Sequence, residues 1–100
     1  MKLELRIGEE TKTFTVPFVS GRMLRKTLAI SKDMNFSNVT VEVLDELVLF
    51  VVDLFKNQFS VDEFYDGIEA HKLLQTVMDC IHQVTGQAAK ALEPLSDPNA

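Results

Sequence analysis

The feature that most constrains the fold is residues 39–56, where charged side chains occupy only a narrow stripe of a predicted helix. The members of this stripe are Glu42, Asp45, Glu46, Asp53 and Lys56. Apolar residues fill the remaining arc of roughly 200°, whereas a surface helix buries an arc nearer about 100°. The pattern therefore predicts a helix that packs on two sides inside a domain or covers part of its surface with another chain. Leu49 is an exception, because it lies within the charged stripe.

The N-terminal residues predict a β-hairpin. Residues 2–7 alternate charged and apolar, and residues 11–16 alternate again with several β-branched side chains. Gly8 supplies the turn, and Pro17 ends the second strand because proline has no N–H for the ladder. The candidate core residues on the inner face are Leu3, Leu5, Ile7, Phe14 and Val16. A lone hairpin is marginally stable, so other elements must cover this face.

Three further helices are predicted. The first follows Ser20, ends near Met34-Asn35, and has an apolar arc of Met23, Leu24, Thr27, Leu28 and Ile30 opposite Arg22, Arg25, Lys26 and Lys32. Ser60 and Glu63 form a capping box that starts a short helix running to about Asp66. The last helix begins near Glu69 and is expected to stop at Gly86.

Together these segments predict an α+β fold, in which an N-terminal β-hairpin packs on a small bundle of three to four α-helices. The 100 residues are enough for a single domain over residues 1–86, followed by a mobile tail over residues 87–100 that includes two prolines. The longest apolar run has six residues, 47–52, and a membrane span needs about 20, so we expect no membrane partner.

Charge and chemistry argue against several functions. The net charge of −5 opposes nucleic-acid binding, for which the only candidate is the basic helix 21–34. The lone Cys80 excludes an internal disulfide and, two helical positions from His82, points about 200° away from it. His71 and His82 are about 16 Å apart along a helix, too far to share a metal ion. We therefore expect no catalytic, cofactor or metal site, and no enzyme.

Residues 59–70, with the sequence Phe-Ser-Val-Asp-Glu-Phe-Tyr-Asp-Gly-Ile-Glu-Ala, are the most specific part of the chain. With the Phe-x-Val-Pro-Phe end of the hairpin at 14–18 and the leucine-rich helix at 44–55, they resemble the tail assembly chaperones of long-tailed phages of Gram-positive bacteria. The resemblance covers about residues 1–85. The alternative is a small phage or host regulatory protein that binds nucleic acid through the helix 21–34.

The resemblance implies a non-enzymatic protein in the cytoplasm of the infected host cell. Such chaperones coat the apolar tape measure protein, help to recruit tail tube subunits and are absent from the mature virion. Many also occur as a longer form made by translational frameshifting, and that form is a possible contact for the tail tube protein. Self-association is also expected, because several copies would cover one elongated client.

The predicted partner-binding residues are apolar and lie between positions 44 and 68. They are Leu44, Leu47, Leu49, Val51, Phe55, Phe59, Phe64 and Ile68. Apolar helix faces that exceed the needs of a small core commonly bind amphipathic helices of partners. The competing interpretation is that all of these residues belong to the core, since a small domain needs its apolar residues. Leu49 marks either the client groove or a self-association contact.

Overall fold

A computed structural model describes residues 1–33 and 37–96 of the chain. Its elements are β1 (Lys2–Ile7), β2 (Glu10–Thr15), α1 (Gly21–Asp33), α2 (Val41–Leu54), α3 (Val61–Gly67) and α4 (Ala70–Ser96). The fold is therefore α+β, an N-terminal hairpin with four helices, as the sequence predicted. The predicted end of the first helix at Met34-Asn35 falls outside the described residues.

The hairpin has the predicted inner and outer faces. β1 and β2 pair antiparallel, with Leu3 opposite Phe14 and Leu5 opposite Lys12. Gly8 has a φ of 66° at the first position of a two-residue turn, which is the pattern of a type II′ hairpin. Leu3 and Leu5 are buried, and Phe14 is half-buried beneath the helices. Residues that lie opposite each other on paired strands point to the same face of the sheet. The charged residues of β1 pair with threonines of β2, so the opposite face of the sheet is entirely polar.

Helix α2 lies at the centre of the domain and packs against α1, α3 and α4. The Thr40 side chain caps it by accepting a hydrogen bond from the Val43 N–H at 3.2 Å. Its buried residues are Leu47, Val48, Phe50, Val51, Val52 and Leu54. Most of the wide apolar arc is therefore explained by packing on several sides within the protomer. Leu49 is 56% exposed, as its place in the charged stripe predicted.

Helix α3 closes the hairpin's inner face. The predicted capping box is present: the Ser60 hydroxyl accepts from the Glu63 N–H at 3.0 Å, and Glu63 accepts from the Ser60 N–H at 2.8 Å. A cluster of aromatic rings joins the hairpin to the helices. The ring centroid of Phe59 lies 5.0 Å from the ring centroid of Phe14, 5.6 Å from that of Phe55 and 6.0 Å from that of Phe64. Such tilted and offset pairs stabilise a core beyond the burial of their area.

Helix α1 buries most of its predicted apolar arc. Met23 and Thr27 are buried, and the Thr27 hydroxyl donates to the Met23 carbonyl at 2.6 Å, so this buried polar side chain has a hydrogen-bond partner. Leu28 is 55% exposed, so its assignment to the buried arc was wrong. The buried stripe of α1 is narrower than the sequence pattern, and among the described elements α1 packs against α2 and α4.

Helix α4 does not stop at Gly86, so that prediction was wrong. The helix continues to Ser96. A single glycine lowers helix stability by about 1 kcal/mol, and the residues after Gly86 include strong helix formers such as Ala88, Ala89 and Ala91, which offset that cost. Mobility of residues 87–100 stays a prediction, and residues 97–100 lie outside the described part of the chain.

Candidate functional site

The candidate site is an open groove between α1 and α2, with a volume of about 470 Å³. Its lining residues are Arg25, Lys26, Ala29 and Ile30 from α1, and Val43, Glu46, Leu49 and Phe50 from α2. Five of these eight side chains are apolar, and the charged ones are exposed at the rims. We call this feature the α1–α2 groove. An apolar floor with a charged rim is the arrangement that binds an amphipathic helix of a partner.

The two rims of the α1–α2 groove carry opposite charges. Arg25 and Lys26 form a basic rim on α1, and Glu46 forms an acidic rim on α2. Asp53, about two helical turns beyond Glu46, accepts an ion-paired hydrogen bond from Lys26, which links the two helices. Within the described residues, Arg25 and Glu46 have no ion-pair partner and remain available to a ligand.

The same ion pair bears on nucleic-acid binding. Lys26 is neutralised by Asp53, and a phosphate approaching Arg25 would also meet Glu46 across the groove. Phosphate binding depends on clustered basic charge without neighbouring carboxylates. The basic face of α1 instead meets the acidic stripe of α2 through the ion pair between Lys26 and Asp53.

A second contact of the acidic stripe fixes α3 against α2. The Tyr65 hydroxyl donates to Asp45 Oδ1 at 2.5 Å. Partial burial, together with this hydrogen bond and the charge of Asp45, raises the pKa of Tyr65 to about 12. The neutral phenol is therefore the form that the fold stabilises. Asp45 and Asp53 thus hold α3 and α1 in place on either side of Leu49.

The eight predicted partner-binding residues separate into two groups. Leu47, Val51, Phe55, Phe59 and Phe64 are enclosed in the protomer core, with exposures of 2% or less. In this conformation they support the surface from beneath and present no area to a partner. Leu44 and Ile68 are half-buried, and Leu49 alone is exposed and lines the groove. Contact of the enclosed residues with a client stays a prediction that requires the protomer to open.

Most of the groove was not singled out from the sequence. The sequence pattern places Arg25 and Lys26 on the basic side of the first helix, Glu46 in the charged stripe, and Ile30, Val43 and Phe50 in apolar arcs. Ala29 belonged to neither group. The one local signal was Leu49, since an apolar residue inside a charged stripe must be either exposed or covered by another chain.

The described residues outside the groove offer little chemistry. Cys80 is buried, and its burial, with Asp79 nearby, raises its pKa to about 11, so little of the thiol is in the nucleophilic thiolate form at neutral pH. Over residues 1–33 and 37–96, no three His, Cys, Asp or Glu side chains are placed to hold one metal ion. None of the described helices has the length and apolarity that a membrane span requires.

Comparison with known proteins identifies a family for this chain. A protein-family model with the description "Phage tail chaperone protein" matches residues 1–96 of this chain. No curated protein and no solved structure gives a significant match. The matched range includes the hairpin, all four helices and both walls of the α1–α2 groove.

Proposed function

Because this chain belongs to the phage tail chaperone family, we propose that it covers an apolar helical segment of a tail protein in its α1–α2 groove. The observation that carries the proposal is the placement of Leu49. It is 56% exposed, lies in the groove and is flanked by charges on both sides. An exposed leucine on the apolar lining of a groove gains most when a second apolar surface covers it.

The groove matches a particular kind of client. Its apolar floor suits a single stripe of leucine, isoleucine or valine side chains on an amphipathic helix, and the volume admits a few of them at a time. Arg25 favours an acidic residue on one flank of that stripe, and Glu46 favours a basic residue on the other. The charges set the orientation of the client helix, while the apolar contacts supply most of the affinity.

The client that we propose is the tape measure protein, which is a long helical protein with an extended apolar stripe. Several copies of a small domain would cover it in sequence and keep it from aggregating in the cytoplasm of the infected cell. Recruitment of tail tube subunits, and a longer frameshifted form that contacts them, belong to the same proposal. The role requires no catalytic step, and the proposed contact is between protein surfaces.

The test is co-expression of the tape measure protein with this chain and with its Leu49→Glu variant. The variant places a carboxylate on the apolar floor, so we expect the soluble fraction of the client to fall toward that of the client expressed alone. The matched control is Leu28→Glu, because Leu28 is also on an amphipathic helix, is 55% exposed and does not line the groove. It should keep the client soluble.

Binding of the purified proteins gives the magnitude. Covering the exposed half of a leucine contributes about 1 kcal/mol, and burying a glutamate in its place adds a desolvation cost, so we expect at least about a tenfold loss of affinity. A Leu49→Glu protein with an unchanged unfolding midpoint and undiminished client binding would contradict the proposal. Salt-sensitive binding of a fluorescent oligonucleotide at low ionic strength would instead favour the nucleic-acid alternative.

A further inference from the structure

The outer edge of the hairpin is open. The Val16 N–H donates to the Met1 carbonyl at 2.9 Å, which sets the alternation of hydrogen bonds along the ladder. In the observed register, Glu10, Lys12 and Phe14 therefore bond to β1, while the backbone N–H and C=O groups of Thr11 and Thr13 point away from it. In the part of the chain that the structure describes, β1 is the one element that packs along β2.

The other side of the hairpin is closed. Helix α3 lies against β1, and its last residue, Gly67, touches the Arg6 carbonyl so closely that even a methyl group would not fit. The far end of β2 is also partly occupied, because the Thr15 carbonyl accepts a hydrogen bond from Gln58 Nε2 at 2.8 Å. The open part of the edge is therefore centred on Thr11 and Thr13.

We propose that this edge pairs with β2 of a second copy of the chain, antiparallel about a two-fold axis at Thr11. The charges select this arrangement. A two-fold axis at Thr11 places each Lys12 opposite Glu10 of the second copy, so two ion pairs form for one interface. An axis at Lys12 would place the two lysines opposite each other. An axis at Thr13 would use Thr15, whose carbonyl already accepts from Gln58.

Backbone hydrogen bonds join the two strands in the register that the ion pairs favour. With the axis at Thr11, the two Thr11 residues exchange a pair of N–H to C=O hydrogen bonds, and the two hairpins become one four-stranded sheet. A lysine on an edge strand normally discourages pairing with another chain. Here Lys12 is neutralised only when the partner strand places an acidic residue opposite it. A second copy of β2 does so, because its Glu10 lies two positions before Lys12.

The edge and the α1–α2 groove are formed by different elements, so pairing through β2 uses no residue that lines either groove of the dimer. A dimer of this kind presents two client sites instead of one. Two linked sites bind an elongated client more tightly than either alone, because the second contact is intramolecular. The inference about the edge holds independently of what the groove binds.

The test is sedimentation velocity of the full chain over a range of protein concentrations, with single and double charge reversals. Lys12→Glu places two glutamates opposite each other, and Glu10→Lys places two lysines there, so each should raise the dimer dissociation constant at least about tenfold. The double variant with both changes restores the ion pairs and should return the dissociation constant to within about threefold of the unaltered protein. Lys2→Glu, the same charge change on the polar face of β1, is the control and should have no effect.

A protein that sediments as a monomer at every concentration, or a double variant that stays as weak as the single ones, would overturn the proposal. Thr11→Pro gives a second measurement, because its N–H points away from β1 and proline there removes no hydrogen bond of the hairpin. It should abolish the dimer while the circular dichroism spectrum is unchanged. Leu49→Glu should remain a dimer, and loss of the dimer in that variant would place self-association at the groove instead.

Discussion

Replacing Gly67 with alanine is expected to destabilise this protein, although alanine favours helices more than glycine does. A Cβ atom at position 67 would lie 2.8 Å from the Arg6 carbonyl oxygen and 3.1 Å from the Leu5 Cβ. The first of these atoms belongs to the backbone of a paired strand, and Leu5 is almost fully buried, so neither atom can move away alone. Helix α3 would have to shift away from β1 by about half an ångström, which loosens a close-packed contact.

The magnitude follows from two opposing effects. Overpacking of a tightly packed contact costs about 1–3 kcal/mol. Replacing a glycine inside a helix by alanine raises the free energy of unfolding by up to about 1 kcal/mol. The gain is smaller here, because Gly67 is the last residue of α3. We therefore expect the free energy of unfolding to fall by about 1–2 kcal/mol. The measurement is urea unfolding followed by circular dichroism, in which the midpoint should fall while the slope stays constant.

Gly86→Ala is the matched control. Gly86 lies inside α4, and a Cβ there would contact nothing within 4 Å. Alanine at that position should raise the free energy of unfolding by about 0.5–1 kcal/mol. The two substitutions are chemically identical and should have opposite signs. A Gly67→Ala protein at least as stable as the unaltered one would refute the close approach of α3 to β1, and a destabilised Gly86→Ala protein would show that α4 ends at the glycine.

Two further predictions follow from the ionisable groups with raised pKa values, Tyr65 and Cys80. The phenolate absorbance of the protein's single tyrosine, Tyr65, should titrate with a pKa of about 12, and a midpoint near 10 in the folded protein would contradict the contact with Asp45. Because this pKa is raised above the unfolded value, the stabilisation by the neutral phenol is complete below pH 10 and is lost as the pH rises through 12. The free energy of unfolding should therefore fall less between pH 10 and pH 12 in the Tyr65→Phe variant than in the unaltered protein. In the folded protein at pH 8, Cys80 should react with a thiol reagent at least roughly a hundredfold more slowly than in denaturant, because the thiolate is scarce and the sulfur is buried. Rapid labelling of the folded protein would contradict the place of Cys80 in the core.

The local features of the fold could be predicted from the sequence because they depend on neighbouring residues. The hairpin follows from period-two alternation and a turn glycine, and the start of α3 follows from the reciprocal bonds of Ser60 and Glu63. The exposure of Leu49 follows from its angle on the helix relative to the acidic stripe. Each of these depends on residues within about one or two helical turns, where periodicity is a direct guide to direction.

Other features depended on which elements contact one another. A wide apolar arc on α2 is compatible with a partner surface or with packing on three sides, and the presence of α1, α3 and α4 around it placed the predicted partner-binding residues Leu47 and Val51 in the core. Leu28 shows the opposite case. Its position on the helical wheel indicated burial, but none of the described elements covers it, and the side chain is exposed.

The sequence by itself determined the α+β order of elements, the acidic stripe on α2 and the one leucine that interrupts it, because these follow from the spacing of side chains along a single helix or strand. Only the tertiary structure decided that Leu49 faces a groove with a basic wall from α1, and that Gly67 lies against the Arg6 carbonyl. Both are distances between residues that are remote in the chain. Such distances are set by how whole helices pack, and no pattern within one helix contains them.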